Sequence, residues 1–365
     1  MDQESTTMSY LSSSDIVYKK GSNVPLSGVV YKLDKEKNEL EFSVEFKDGK
    51  KHGEQKQYSS LGFMNEIENY NNGKKEWAGA RYSKTGMIQY MATNPDSTGL
   101  HFVAKYFYES TVESSLYHYI NGKIHGHCIE RYTPNQMKFE GDYDQEKNIG
   151  VHKYWYSNGQ LKEVMNYASY KYHGLVSHYF ENGQKKREGN YVNGEKEGTH
   201  LEFYENGQLQ HRQNYKNGKQ NGLFEYYYKN GQLQFQGNYI NGLESGTHKR
   251  WYENNGQLKE VMNYVNGKFQ GKGISYYENG TKSVESESIN GTIINTTWDS
   301  DGTKSSQTTF VDHKIEGVHY EWYTNGQMKS QTTYKNNKKN GIEKVWYSNG
   351  NLKYEKMYIN DIEHY

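Results

Sequence analysis

Cysteine, proline and long apolar runs are nearly missing from this chain, and each absence removes a class of protein. Cys128 is the single cysteine, so no disulfide forms within the chain and stability must come from pairing and packing. A reducing compartment is the simpler reading, and the expected location is cytoplasmic. Only 3 prolines occur in 365 residues, which leaves strands free to pair along most of the length. Nowhere do about 18 apolar residues follow one another, so no spanning helix is expected. Met1 to Lys20 lacks the apolar stretch of a signal peptide.

Excess charge is missing as well. Lys plus Arg equals Asp plus Glu at 44 each, which argues against a nucleic-acid binder driven by phosphate neutralisation and against a strongly basic membrane-surface protein. Aliphatic residues are scarce: hydrophobic content is 33%, with 37 Tyr against 12 Phe and 6 Trp. Tyr buries a ring while keeping its hydroxyl wet, which suits a thin sheet with solvent close to both faces. There is no Walker loop, no zinc-finger spacing and no nucleophile elbow. Gly271-Lys272-Gly273 lacks the third glycine of a dinucleotide fingerprint.

What the chain does have is repetition. Between Gly198 and Gly246, Tyr204-Glu-Asn206-Gly207-Gln208-Leu209 returns 24 residues later as Tyr228-Lys-Asn230-Gly231-Gln232-Leu233. Tyr215-Lys-Asn217-Gly218 likewise returns as Tyr239-Ile-Asn241-Gly242. A fixed period of this size is the signature of a repeat array. Nine copies are clear, tracked by Gly159, Gly183, Gly207, Gly231, Gly256, Gly280, Gly302, Gly326 and Gly350. Asn135 fits one step earlier, Thr111, Gly86 and Gly62 fit less well, and Asn38 marks an eroded first copy, up to fourteen in all.

Each copy reads as two strands. Leu223 to Tyr228 and Leu233 to Tyr239 are rich in aromatic residues and bounded by Asn-Gly pairs, the preferred loop of a type I′ hairpin. If Asn230 and Gly231 form that loop, Tyr228 opposes Leu233, and in the same way Tyr156 opposes Leu161, Tyr204 opposes Leu209 and Tyr347 opposes Leu352. Alternation then turns the preceding residues, Trp155, Phe203, Tyr227, Trp251, Trp322 and Trp346, to the other face. The expected fold is all-β: an elongated antiparallel β-hairpin repeat array in a single twisted sheet. Up to fourteen such copies would make a rod of roughly 130 Å. Residues 1–27 are expected to be a partly flexible arm, with Asp15 to Tyr18 as an alternative first strand, and residues 28–365 the array. An irregular loop is expected from Ala80 to Glu113, which contains Asn94-Pro95-Asp96, and a shortened turn or bend from Ser283 to Thr309.

The Tyr-x-Asn-Gly-Gln-Leu-Lys and Tyr-x-Asn-Gly-Lys-x-x-Gly pattern resembles the variant class of MORN repeats, and Lys51-His52-Gly53, Ile124-His125-Gly126 and Tyr172-His173-Gly174 resemble the His-Gly step of the standard unit. The resemblance covers roughly Phe46 to Tyr365. It implies an antiparallel hairpin array with interaction roles and no shared catalytic residues. Such repeats occur in bacterial proteins, some antitoxin-like, in giant viruses and in eukaryotic scaffolds. The Asn-, Lys- and Tyr-rich composition suits an AT-rich genome, including that of a large DNA virus, in which case the host cytoplasm is the expected location.

No catalytic, cofactor or metal residues are expected. His152, His200, His248 and His319 share a phase, and the first three are 48 residues apart, or four strands. That is roughly 19 Å, too far to share a metal, and they read as surface positions. His200 and His211 are diagonal neighbours at best. The candidate sites are the aromatic strip Trp155, Phe203, Tyr227, Trp251, Trp322 and Trp346, and the C-terminal edge at Tyr354, Met357 and Tyr358, where strand addition is the expected mode. The expected function is a non-enzymatic scaffold for a protein partner or for self-association. The alternatives are a glycan or lipid-headgroup module using the aromatic ladder, and antitoxin-like neutralisation of a partner.

Overall fold

The computed structural model describes residues 18, 23–34, 36, 39–60, 63–83, 88–93, 98–106, 110 and 112–365. The expectations for residues 1–17 and for Asn94-Pro95-Asp96, and the turn positions Asn38, Gly62, Gly86 and Thr111, lie outside them. The chain divides into two compact units, Met1–Gly183 and Gln184–Tyr365. The described residues of both form strands and turns, with no helix. Within the second unit, strands follow one another from Lys185–Val192 to Ile362–His364, each antiparallel to its neighbours in sequence. The first unit is built the same way from Gly28–Asp34 to Gly174–Tyr179. Among the described residues each strand pairs only with the strand next to it in sequence or with the one beyond a two-residue strand, which makes an open hairpin array and not a barrel.

Two kinds of turn alternate, although both are written Asn-Gly. The second turn of each copy is the two-residue type I′ loop: Ile240 opposes Leu243, with Asn241 at φ 51° and Gly242 at φ 86°. The first turn is wider than the sequence suggests. Tyr228 N donates to Gln232 O at 2.8 Å and Gly231 N donates to Tyr228 O at 2.9 Å, which leaves Lys229, Asn230 and Gly231 in the loop. Only Gly231, at φ 85°, is left-handed. This is a type I turn closed by a left-handed glycine.

The expected register is therefore off by one. Leu233 opposes Tyr227, not Tyr228, and Leu161, Leu209 and Leu352 oppose Trp155, Phe203 and Trp346. The reason lies in the Asn230 side chain. Its Oδ1 accepts from Gln232 N at 2.9 Å and its Nδ2 reaches Glu253 O of the next copy at 3.4 Å. The wider loop lets one amide close its own turn and tie down the following one. Gly231→Val should cost about 1 kcal/mol or more, because a β-branched residue is strained at that φ, whereas Gln232→Val should be nearly neutral. Equal melting shifts for the two variants would contradict the assignment.

A second feature has no signal in a hairpin template. Between the pairs Asn238–Ser245 and Gln236–Lys249, one strand advances two residues and the other four. The extra residues form a bulge around Gly246, at φ 74°. Its partner strand supplies an asparagine in several copies: Asn214 Nδ2 donates to Leu223 O at 2.6 Å and Asn263 Nδ2 to Lys272 O at 2.8 Å. The bulge explains the short copy. Between Ser283 and Thr309 both turns are intact, but Ile289–Thr292 through Val284–Thr297 pair without a shift. The two missing residues are the bulge, not part of a turn as expected.

The stretch from Ala80 to Glu113 also departs from expectation. It contains the paired strands Ile88–Ala92 and Leu100–Tyr106 instead of one irregular loop. The stretch lacks most turn signals, yet its strands pair, and alanine takes buried positions in it: Ala80, Ala92 and Ala104 are all buried.

The core is a single file running across the strands. In the second unit it passes from Gly189 to His200, Gln213, Phe224 and Gly237 through directly paired positions. It continues to His248, which packs on Gly237. Large residues alternate with small ones. A Cβ on Gly189 would lie 2.0 Å from His200 Nδ1, and one on Gly237 2.8 Å from the His248 ring. In the first unit the file holds Cys128, Gly141, His152 and Met165. Tyrosines of the second turn wall it in. His200 sits between Tyr191 and Tyr215, each 5.1 Å away in edge contact, and Phe224 between Tyr215 at 5.6 Å and Tyr239 at 4.8 Å.

The histidines expected at the surface are thus core residues: His152 is fully buried, and His200 and His248 are buried as well. Each directs Nε2 at a backbone carbonyl, of Asp142, Asn190 and Asn238 respectively, at 2.8–2.9 Å. Imidazole fills the space above a glycine and satisfies a bulge carbonyl at once, a job for which an aliphatic residue has no donor.

Candidate interaction surface

The two turn edges of the sheet are used differently. On the first-turn edge the repeated Tyr and Asn side chains work inside the fold. Tyr228 Oη donates to Trp251 O at 2.9 Å, and Tyr204, Tyr277 and Tyr323 make the same bond to Tyr227, Trp298 and Trp346 at 2.8–2.9 Å. Asn206, Asn255 and Asn325 reach carbonyls of Lys229, Glu278 and Ser348. In six copies the glutamine after one turn covers the next turn's glycine, as Gln208 does over Gly231. The repeated Tyr-x-Asn-Gly-Gln phrase is therefore a set of staples between consecutive hairpins. Tyr228→Phe, which removes one of them, should lower stability by about 1 kcal/mol. An unchanged melting temperature would mean the bond carries nothing.

The aromatic strip lies along this edge and is half-buried at Trp155, Phe203, Tyr227, Trp251, Trp322 and Trp346. Tyr227 Oη donates to Glu225 Oε2 at 3.0 Å, so Tyr227 stands on the Glu225 face, opposite Phe224 and Tyr226. Both faces carry aromatics. At Trp322 the ring is already covered, as is the neighbouring Trp298. Lys304 Nζ lies 4.0 Å over Trp322, whose other neighbour is the stacked Tyr320 at 5.9 Å, and Lys282 Nζ lies 4.7 Å over Trp298.

The residues named for the C-terminal edge belong to Leu352–Ile359, on which the short strand Ile362–His364 pairs through Met357–His364 and Tyr358–Glu363. Tyr354 Oη reaches Glu343 Oε2 at 3.4 Å and Lys339 covers Tyr358, so both tyrosines serve their own sheet, while Met357 stays exposed.

The type I′ edge is the surface that sequence reasoning missed. In the second unit the residue before each of these turns is often aliphatic and exposed: Val192 45%, Ile240 57%, Val265 52% and Ile289 55%, with Leu243 after one turn at 51%. Leu243 Cδ2 would lie 3.4 Å from a Cβ on Gly267, so the apolar atoms run from one turn to the next. The residue after the turn is commonly lysine, exposed at Lys219, Lys268, Lys314 and Lys338. The signal is the residue before Asn-Gly, aliphatic at Val192, Ile240, Val265 and Ile289 and lysine at Lys216.

Among the described residues no group of three or more His, Cys, Asp or Glu converges as metal ligands. Cys128 is fully buried and burial pushes its thiol up, away from a nucleophile. Burial likewise pushes the Tyr143 phenol up to about 12. His211 meets Tyr226 in edge contact at 4.7 Å and the Glu202 carboxylate at 3.5 Å, while His200 faces Asn190 O, so these two do not form a site together.

Comparisons with known proteins give one informative match. The MORN repeat variant model matches residues 149–169, 172–193, 196–217, 220–241, 246–266, 315–336 and 339–360. No curated protein matches the chain. Among solved structures, an S. aureus TarM mutant in complex with fondaparinux, alpha-GlcNAc-glycerol and UDP is 14% identical over 26% of this chain and 19% of that one, with a TM-score of 0.21. TcdB2-TccC3 is 11% identical over 92% of this chain and 19% of that one, with a TM-score of 0.18. The chain spans about a fifth of the length of these structures, and at such TM-scores neither likeness carries an argument. Among the described residues no helix is long and apolar enough to cross a membrane. Each of the seven matched segments spans one hairpin with its first turn and ends on the first residue of the type I′ turn, and these seven segments are variant MORN repeats.

Proposed function

We propose that this chain is a non-enzymatic scaffold that mediates protein–protein interaction, self-association included, through the type I′ edge of its repeats. The observation that carries this reading is the row of exposed aliphatic side chains at Ile240, Leu243, Val265 and Ile289. Apolar patches of this kind, rimmed by polar residues, mark interaction sites on soluble proteins. The aromatic strip is a weaker candidate, because its rings are only half-exposed and at Trp322 a lysine stem and a neighbouring ring already lie against it. That speaks against an open stacking surface for a glycan. A cytoplasmic setting belongs to the same reading and is supported by a lone cysteine held in the core.

The test is site-specific photocrosslinking in the cells that make the protein, with a photoreactive residue at Ile289 or, as control, at Asn230. Adducts of defined mass are expected from Ile289 and not from Asn230, and a self-adduct has twice the chain mass. Equal labelling from both positions, or none from Ile289, overturns the assignment of the edge.

A further inference from the structure

The aliphatic row shares its edge with lysines whose placement works against folding. Lys216 stands directly opposite Lys219, and Lys335 directly opposite Lys338. In the first unit Lys47 faces Lys50 in the same way. Like charges directly opposite one another destabilise a hairpin. Among the described residues none of these six lysines makes an ion pair with a carboxylate, although Lys75, Lys153, Lys185, Lys282 and Lys339 elsewhere on the sheet all do. The first-turn edge uses its repeated polar residues as staples. The type I′ edge repeats lysine and aliphatic residues that the sheet itself does not use.

We propose that the type I′ edge of the second unit docks an acidic polypeptide segment that carries aliphatic side chains. This deepens the scaffold reading and rests on it. Charge complementarity supplies the occupant: the carboxylates on these turns, Glu197 and Glu316, accept from the turn amides Asn217 N and Asn336 N and leave the lysine side chains unpaired, so a partner's carboxylates would meet the Lys216–Lys219 and Lys335–Lys338 pairs, and its aliphatic groups would cover Ile240, Val265 and Ile289 between them. Successive turns are two strands apart, about 9–10 Å, which is about three residues of an extended chain. One aliphatic residue in three, with acids between, matches that spacing. An anionic bilayer fits less well. It presents negative charge uniformly, and this edge also carries Glu195, Asp312 and Asp361.

The probe is a fluorescent peptide of repeating Leu-Glu-Glu, with a Leu-Lys-Lys peptide and phosphatidylserine vesicles as comparisons, added to the full chain. Saturable binding of the acidic peptide is expected, weakening with salt. Replacing Lys216, Lys219, Lys335 and Lys338 together by Gln should lower affinity at least tenfold and flatten the salt dependence. The same variant should melt no lower than wild type, since repulsion is relieved, so lost binding is not lost folding. Ile240→Ser with Ile289→Ser should weaken binding while leaving the salt slope. Failure of the acidic peptide to bind, equal binding by the four-lysine variant, or binding of vesicles alone overturns the proposal. If the four-lysine variant still yields the Ile289 photoadduct, the scaffold reading stands and the acidic partner falls. If wild type yields no adduct, the scaffold reading falls on its own evidence.

Discussion

Replacing Phe224 by Ala is expected to destabilise the second unit by about 3–5 kcal/mol, the largest effect of any single truncation in it. Phe224 is fully buried, and its ring is held between Tyr215 and Tyr239. A core one residue wide has no second layer to collapse into the space, so the cavity stays and its cost is near the upper end of the range. The damage should also be local. In a repeat array each copy is stabilised by its nearest neighbours, so amides of Leu209–Lys216, Lys219–Tyr227 and Leu233–Ile240 should lose exchange protection while those of Met328–Lys335 keep theirs. The alternation of large and small adds a second reading of the same file. Gly237→Ala places a Cβ 2.8 Å from the His248 ring and from Phe235 Cζ, an overpacking that costs about 1–3 kcal/mol. His248→Ala in the same molecule should remove part of that cost. A loss below about 1 kcal/mol for Phe224→Ala, or strict additivity of the Gly237 and His248 changes, would mean that this file is not the core.

The hairpin array could be read from sequence because its period, its Asn-Gly punctuation and its aromatic strands agree with one another. The register could not. Asn230-Gly231 and Asn241-Gly242 are the same dipeptide, and local turn preference assigns both to type I′. What separates them is a bond 23 residues away, from the Asn230 amide to Glu253 O. Tertiary context decided the turn. The bulge was hidden for a related reason. Gly246 reads as a turn signal, and only the pairing on both sides shows that it widens a strand. Its loss in the copy around Asn290-Gly291 then looked like a defect in a turn. The histidines were misjudged because polar residues at a fixed phase suggest a solvated face. The exception depends on the carbonyl that the bulge exposes, which no window of sequence displays. The proposed interaction edge was in plain view as the aliphatic residue before Asn-Gly, at Val192, Ile240, Val265 and Ile289. It went unrecognised because a residue is seen to be idle in the fold only when its neighbours' bonds are known.

Acid is expected to loosen the array between about pH 6.5 and pH 5, well above the range in which its carboxylates titrate. His200 is the group that sets the sign. Its Nε2 proton is committed to Asn190 O at 2.8 Å, and Nδ1 lies against the backbone of Gly189. Tyr191 and Tyr215 close the sides. Burial holds the imidazole below its ordinary value of 6.5, with the Lys196 charge pulling the same way and the Asn190 bond opposing. His211 is also held low by burial, against the opposing pull of Glu202. A base whose folded pKa is depressed contributes nothing against folding while both states are neutral. As pH falls below the unfolded value, the unfolded chain takes up the proton and the folded chain does not. Stability then falls by up to about 1.4 kcal/mol per pH unit for each such histidine until the folded group titrates. The carboxylates of Glu68, Glu130 and Glu321 are held below 4.5, so their own loss of stabilisation comes at lower pH and the two windows separate. Thermal melts from pH 7.5 to pH 5 should fall progressively, with the amides around His200 losing exchange protection before those of Met328–Lys335. His200→Gln keeps a donor for Asn190 O and cannot take a proton, and glutamine already stands in the same file at Gln213. That variant should melt with a shallower acid slope than wild type. If its slope is the same, the burial of His200 does not govern the response to acid.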